Sequence, residues 1–300
     1  MVDLDTLNRN FGIPGVVEFA VGAHGAPIAT LSNRHGTATV AIQGAQVLTW
    51  APAGQAPVVW LSPASRFASG KSLRGGAPVC WPWFGAHPDG SAKPAHGFAR
   101  NLDWEVRETT HGDDATRIVL GFAPGAEQQA LWPYRAELTL VVDLGQELRL
   151  ELITRNTDTR PIVLTQALHT YFGVGDIGAV RVEGLSGCVY IDKVDNNRQP
   201  RQIGPVTIGA EVDRIYLDCP GDACIVDEAL GRRIRVSKQG SNSYVVWNPW
   251  IEKCAKFGDM AEDAYRRMLC LETVNAGTDI VTVAPGASFT LGTAYSVEAL

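Results

Sequence analysis

The chain has 300 residues, of which 45% are hydrophobic and 19% charged, with 31 glycines and 17 prolines. That is apolar material for a sizeable core, and the Gly and Pro content favours many turns over long helices. A net charge of −6 excludes nucleic acid and anionic membrane as partners, since both need a basic face, and no apolar run reaches the roughly 20 residues of a membrane-spanning helix.

From the N-terminus, residues 1–10 lack the basic start and apolar stretch of a secretory signal, so a cytoplasmic enzyme is expected. Residues 37–42 alternate polar and apolar side chains, as do 102–106. The cleanest alternation is Glu147-Leu148-Arg149-Leu150-Glu151-Leu152, three leucines on one face and three charges on the other. Period two is the signature of half-buried strands. Further β-rich runs are 57–61, 116–122, 135–143, 161–168, 223–226, 232–237, 243–247, 279–283 and 288–297. Turn residues at 52–54, 111–114, 220–221 and 285–286 separate them. Many short strands with close turns predict an all-β, antiparallel sandwich. Helices should be few and short: one over 261–268 and a single turn over 127–131. No repeat of 20–50 residues is visible, which argues against a propeller. The glycine- and proline-rich stretch 62–97 carries Phe67, Trp81, Trp83 and Phe84, so it reads as a binding loop and not a linker. Residues 1–300 are therefore expected to form a single domain. The six cysteines show no C-x-x-C pair and are expected to be reduced thiols, with no metal site.

Between positions 66 and 100 stand Arg66, Lys71, Arg74, Lys93 and Arg100 against the one acid Asp89, while the rest of the chain has 21 basic and 31 acidic residues. A focused positive region on a negative body suits a small anion, and the arginine fork suits phosphate. A solvated loop would show the same composition. The glycines of Lys71-Ser72-Leu73-Arg74-Gly75-Gly76 allow close approach of backbone to ligand, and Trp81 and Trp83 offer flat apolar faces to a sugar or to the core. His169 and Glu272 each sit in an apolar run. A buried ionisable group is costly unless paired or functional, and burial raises a carboxyl pKa toward that of a useful base. A satisfied core histidine and a structural ion pair are the bland alternatives. A carboxylate base and an imidazolium acid match anomer exchange: one removes the C1 hydroxyl proton and the other protonates the ring oxygen as the ring opens.

The run from Lys71 through Trp81-Pro82-Trp83-Phe84-Gly85 closely resembles the hexose-6-phosphate mutarotases (glucose-6-phosphate 1-epimerases) of the galactose mutarotase-like, or aldose 1-epimerase, superfamily. The likeness continues through Pro94-Ala95-His96-Gly97-Phe98-Ala99-Arg100-Asn101, Leu168-His169-Thr170-Tyr171-Phe172, Val212-Asp213-Arg214-Ile215-Tyr216, Val246-Trp247-Asn248-Pro249-Trp250 and Met268-Leu269-Cys270-Leu271-Glu272-Thr273. The resemblance implies a β-supersandwich and a cofactor-free isomerase. It makes His169 the general acid and Glu272 the general base, puts Arg74 and Arg100 on the substrate's phosphate, Asp213 on sugar hydroxyls and His96 in the pocket. Lys71 and Trp250 are further candidates for the pocket. Some relatives carry glutamine where this chain has Ala95, just before the His-Gly-Phe-Ala-Arg run. The expected partner is a small sugar phosphate, with glucose 6-phosphate first; no metal is called for, and a chelator should have no effect. Competing readings are an aldose 1-epimerase for unphosphorylated sugar, a non-catalytic carbohydrate-binding or regulatory protein on the same sandwich, and a glycoside hydrolase, which would need two carboxylates across the bond.

Overall fold

A computed structural model describes residues 2–87, 89–90 and 92–300, and these are built from twenty-two short strands and three short helices. Every strand pairing is antiparallel. A nine-stranded sheet runs in the order Val206–Thr207, Val180–Glu183, Ala223–Asp227, Arg232–Gln239, Ser288–Ala299, Leu148–Asn156, Ala136–Leu144, Thr116–Phe122, Glu105–His111. Facing it is a sheet in the order Val189–Asp192, Val212–Leu217, Ser243–Asn248, Met268–Asn275, Gln166–Leu168, Val79–Cys80, with Tyr171–Gly173 also paired to Met268–Asn275. A four-stranded meander from Val17 to Pro52 adjoins the second sheet through bridges of Val47 to Ala77 and Trp50 to Val59. Both large sheets are open, so the architecture is the expected all-β sandwich, not a closed barrel.

The alternation read from the sequence is what segregates core from site. Along Met268–Asn275 every residue is buried, yet the two faces differ. Leu269 and Leu271 join the main core, which also takes Leu138, Leu140, Leu150 and Leu152 from the opposite sheet. Met268, Cys270 and Val274 join a second, smaller cluster. The neighbouring strands divide the same way: Tyr244 and Val246 against Val245 and Trp247, Leu168 and Phe172 against Ala167 and Tyr171. The register sets Trp247 opposite Cys270, Val245 opposite Glu272, Asp213 opposite Trp247 and Tyr171 opposite Cys270. Period two therefore puts His169, Asp213 and Glu272 on the face turned away from the main core.

Several expected elements differ. Residues 57–61 make only isolated bridges, from Val59 and Leu61. The run 161–168 splits into Ile162–Leu164 and Gln166–Leu168, which belong to different sheets. In place of a helix over 261–268 there is a 3-10 turn, Ala264–Arg266, and Met268 already starts the central strand. The buried run Leu269-Cys270-Leu271 gains more from pairing on both edges than the preceding segment gains from helicity. Two helices were not anticipated, Leu4–Phe11 and Trp250–Cys254. The first is capped by Asp3, whose carboxylate accepts from the Thr6 amide and hydroxyl at 3.1 and 2.7 Å. Cys188 and Cys219 are joined by a disulfide with Cα atoms 6.0 Å apart, against the expectation of six thiols. They flank the paired strands Val189–Asp192 and Val212–Leu217, whose register sets Val189 opposite Leu217, so the ladder itself brings the two sulfurs together. Cys80, Cys224, Cys254 and Cys270 are free.

Candidate active site

Arg74 enters the site from a loop that only glycine permits. Its amide donates to the Ser65 hydroxyl at 2.9 Å, and its carbonyl accepts from the Ser62 amide at 2.9 Å. Gly76 follows at φ +67°, where a Cβ would lie 2.3 Å from the Val47 carbonyl oxygen. Neither the left-handed backbone nor the space would accept another residue. The guanidinium lies over the Phe257 ring at 4.5 Å. Its Nε donates to Asp259 at 3.0 Å and its Nη1 to the Tyr171 hydroxyl at 3.4 Å.

His96 and Arg100 come from the second half of the basic stretch. His96 sits at φ +65° with its amide bonded to the Gly85 carbonyl at 2.7 Å. Its Nδ1 accepts from the Gly85 amide at 3.3 Å, which leaves Nε2 as the protonated nitrogen of the neutral ring. Arg100 donates from Nη2 to the Ala95 carbonyl at 3.0 Å, while its buried Nε has no partner.

His169 and Glu272 meet across the ladder. The imidazole is stacked on Tyr171 at 5.1 Å, with the rings 10° from parallel, and its centroid lies 5.5 Å from that of His96. His169 Nδ1 is 3.4 Å from Glu272 Oε1, with side-chain exposures of 12% and 1%. Nδ1 nevertheless has no hydrogen-bond partner, and neither does Glu272 Oε2. Among the described residues, six buried side-chain polar atoms lack a partner, and three of them are these two and Arg100 Nε. Buried polar groups are normally satisfied, so this clustering marks where a ligand's hydroxyls and anionic oxygens would complete the network.

The electrostatics follow from burial and from the cations. Burial pushes the Glu272 carboxyl well above the usual range, and Asp213 adds to the effect while Arg100 opposes it. Burial holds the His169 imidazole well below its ordinary value, helped by His96 and Arg100. His96 is pushed down to about 3 by burial and by the charges of Arg100 and Arg74. Asp213 is raised by burial, with Lys253 and Lys193 pulling the other way. The ligand-free pair is therefore biased toward a neutral imidazole and a protonated carboxyl, the reverse of the imidazolium and carboxylate expected from the sequence.

These side chains line one cavity of about 270 Å3: Arg74, His96, Arg100, His169, Asp213 and Glu272 all face it. The volume is just below the ~300–1,000 Å3 typical of small-molecule sites, the size of one sugar and not a chain of them. Lys253, Tyr171, Trp247 and Phe257 share the lining and were not singled out from the sequence, while Phe84, named there as an aromatic of the binding loop, lines the cavity as well. Tyr171 and Trp247 stood inside quoted motifs. Lys253 and Phe257 lie in or just after the unanticipated helix, so no periodicity pointed to them. Two candidates lie elsewhere. Lys71 is exposed on a turn closed by its amide to the Ala68 carbonyl, and Trp250 packs on Tyr265 at 5.2 Å. Asn248 is structural, its amide donating to the Tyr265 and Met268 carbonyls at 2.9 Å. A larger cleft, about 370 Å3, lies near His35 and His111, but His111 Nδ1 is already 2.9 Å from the Thr116 hydroxyl and none of the unpartnered atoms is there.

Comparison with known proteins gives a consistent picture. The aldose 1-epimerase family pattern matches residues 27–296. A protein of Escherichia coli K12, provisionally named a glucose-6-phosphate 1-epimerase, is 40% identical over 242 residues, 80% of each chain. One of Cenchrus ciliaris with the same provisional name is 35% identical over 263 residues, 84% of this chain and 79% of its own. The crystal structure of a protein of Salmonella typhimurium, provisionally called a mutarotase, superposes with a TM-score of 0.90 at 30% identity, covering 97% of this chain and 96% of the other.

Proposed function

The chain belongs to the aldose 1-epimerase family, and from that premise we propose that residues 1–300, acting as one domain, interconvert the anomers of an aldohexose 6-phosphate, glucose 6-phosphate first. The chain is an isomerase of sugars; the phosphorylated substrate and the residue roles are the inference. The observation that carries it is the cavity in which the unpartnered His169 Nδ1 and Glu272 Oε2 share a lining with two guanidinium groups. Two guanidinium groups on one wall suit an anionic group on the sugar.

In this reading Arg100 and Arg74 hold the phosphate. The Arg74–Asp259 pair is partly exposed, at 26% and 40%, so an incoming phosphate can replace the carboxylate on the fork. Asp213 and His96 accept and donate to ring hydroxyls. Glu272 takes the proton from the C1 hydroxyl while His169 gives one to the ring oxygen, the C1–O5 bond opens, the aldehyde turns and the ring recloses with the roles reversed. The phosphate dianion offsets the two guanidinium charges that, with burial, hold His169 neutral, so binding itself favours the imidazolium. Both proton transfers use side chains of this chain. No helix of the described residues is long and apolar enough to cross a membrane. We place the protein in the cytoplasm, to be checked by fractionation; in that compartment the Cys188–Cys219 bond would face reducing conditions.

The test is magnetisation-transfer NMR on equilibrated glucose and glucose 6-phosphate with the same protein. Anomer exchange should be accelerated strongly for the phosphate and weakly for glucose. Equal acceleration of both would reject the phosphorylated substrate in favour of a general aldose 1-epimerase.

A further inference from the structure

Acid–base anomer exchange uses His169 and Glu272 and leaves one thiol beside them without a task. Cys270 is two residues before Glu272 on the same strand, hence on the same face, and is fully buried opposite Tyr171 and Trp247. One ligand atom each from His169, Cys270 and Glu272 can be chosen so that all lie within 4.8 Å of one another. The two shortest-range donors, His169 Nδ1 and Glu272 Oε1, are 3.4 Å apart. That matches the roughly 3.4 Å edge of a four-coordinate zinc whose nitrogen and oxygen bonds are about 2.0–2.1 Å long. Nδ1 has no hydrogen-bond partner to surrender.

From this convergence we propose that His169, Cys270 and Glu272 form an inhibitory site for a borderline-soft divalent cation, Zn2+ first, at the floor of the sugar cavity. Nitrogen, thiolate and one carboxylate are a zinc-type donor set and a poor one for Mg2+ or Ca2+, which prefer oxygen alone. Binding exchanges the thiol proton of Cys270 and the carboxyl proton of Glu272 for bonds to zinc, and both protons leave to solvent. His169 and Glu272 line the sugar cavity, from which water or a sugar hydroxyl would supply the fourth ligand. Metal binding stands on this geometry alone. That it stops turnover rests additionally on the proposed role of the pair, because a ligated imidazole and carboxylate cannot carry protons.

The experiment uses the whole protein, the Cys270→Ala variant and, should alanine fail to fold by thermal melt and circular dichroism, Cys270→Ser. Co2+ serves as the optical probe and Zn2+ as the inhibitor. The wild type should show a thiolate-to-cobalt charge-transfer band that Zn2+ bleaches, and its anomerase activity should fall with Zn2+ but not with Mg2+, and return with EDTA. The variant should keep basal turnover, lack the band and need at least about tenfold more Zn2+ for the same inhibition, since even indirect partners of a metal are worth 10–100-fold in affinity. Equal zinc sensitivity of variant and wild type, or a cobalt spectrum without thiolate character, overturns the site; the metal would then sit elsewhere, for instance near His35 and His111. A thiolate band with undiminished activity keeps the metal site but removes the assignment of His169 and Glu272 to proton transfer.

Discussion

Replacing Glu272 by Gln should move activity and stability in opposite directions. The amide keeps the shape of the side chain and removes only its ability to ionise. Loss of a general base typically costs about 10²–10⁴-fold in rate, or about 2.7–5.4 kcal/mol of barrier at 1.36 kcal/mol per tenfold, so exchange between the glucose 6-phosphate anomers should fall by that factor with substrate affinity little changed. Stability should respond the other way. Glu272 is 1% exposed, its Oε2 is unpartnered and its pKa is raised by burial and Asp213. A carboxyl whose folded pKa exceeds the unfolded value of about 4.3 is tolerated fully only below that value, and stability is lost as pH rises through the folded pKa. Glutamine does not titrate, so the variant should melt higher than wild type near neutrality, and the difference should shrink toward pH 4. Magnetisation-transfer NMR gives the rate and a melting series across pH gives the stability. A Glu272→Gln variant that keeps its rate, or that melts lower at every pH, would show that this carboxylate is a structural ion-pair partner of His169 and not a base.

The anchors can be tested against a neutral sugar: Arg100→Ala and Arg74→Ala should each raise KM for glucose 6-phosphate by about ten- to a hundred-fold, the value of a charge-assisted bond of about 1.5–3 kcal/mol, and should not slow the weak turnover of glucose. Inorganic sulfate should compete with substrate in wild type and not in the Arg74→Ala, Arg100→Ala double variant, as read by inhibition kinetics. Titration calorimetry of sulfate in buffers of different ionisation enthalpy should show proton uptake near neutral pH, because an anion on Arg100 and Arg74 relieves the repulsion that lowers His169 and His96; no uptake would mean the anion binds elsewhere. The rate should be bell-shaped in pH, with the acid limb above the ordinary carboxylate range and the alkaline limb set by the substrate-bound imidazole. Gly76→Ala should destabilise the protein by more than the about 1–3 kcal/mol of a left-handed backbone alone, because its Cβ would also lie 2.3 Å from the Val47 carbonyl oxygen, and should raise KM through Arg74, measured by denaturant titration alongside kinetics.

The sandwich could be read from the sequence because its strands alternate. The run 116–122 matches its strand to the residue, and 147–152 falls on Leu148–Asn156, since leucine on one face and charge on the other leave one register open. Where a strand is buried on both faces that cue disappears: Met268–Asn275 is apolar throughout except at Glu272 and its polar end, and the preceding AEDAYRRM segment borrowed its methionine for a helix that does not form. His169 and Glu272 were legible as costly polar groups in apolar runs and Arg74 and Arg100 as part of an excess of cations, while His96 and Asp213 rested on the family resemblance alone. Their convergence could not be read, because strand register is a property of pairing partners far apart in sequence. Lys253 and Phe257 escaped for a related reason, standing in or just after a five-residue helix whose position depends on Asn248 clamping its start through the Trp250 amide at 2.9 Å.

The order of events in the cavity also follows from the geometry. A buried carboxyl and a buried imidazole 3.4 Å apart cannot both be charged cheaply while two guanidinium groups share the wall, since each cation disfavours imidazolium. Without ligand the pair is therefore biased toward a neutral imidazole and a protonated carboxyl. An anion on the arginines relieves that penalty, and a phosphate carried by the sugar does so while the sugar is presented to the pair. The same arrangement would both select a phosphorylated hexose and activate the acid–base pair, so Arg100 acts on the reaction through the protonation state of His169 as well as through affinity. Neutral glucose can fill the sugar part of the cavity and still leave His169 unprotonated, which is a reason for its slow turnover independent of binding strength.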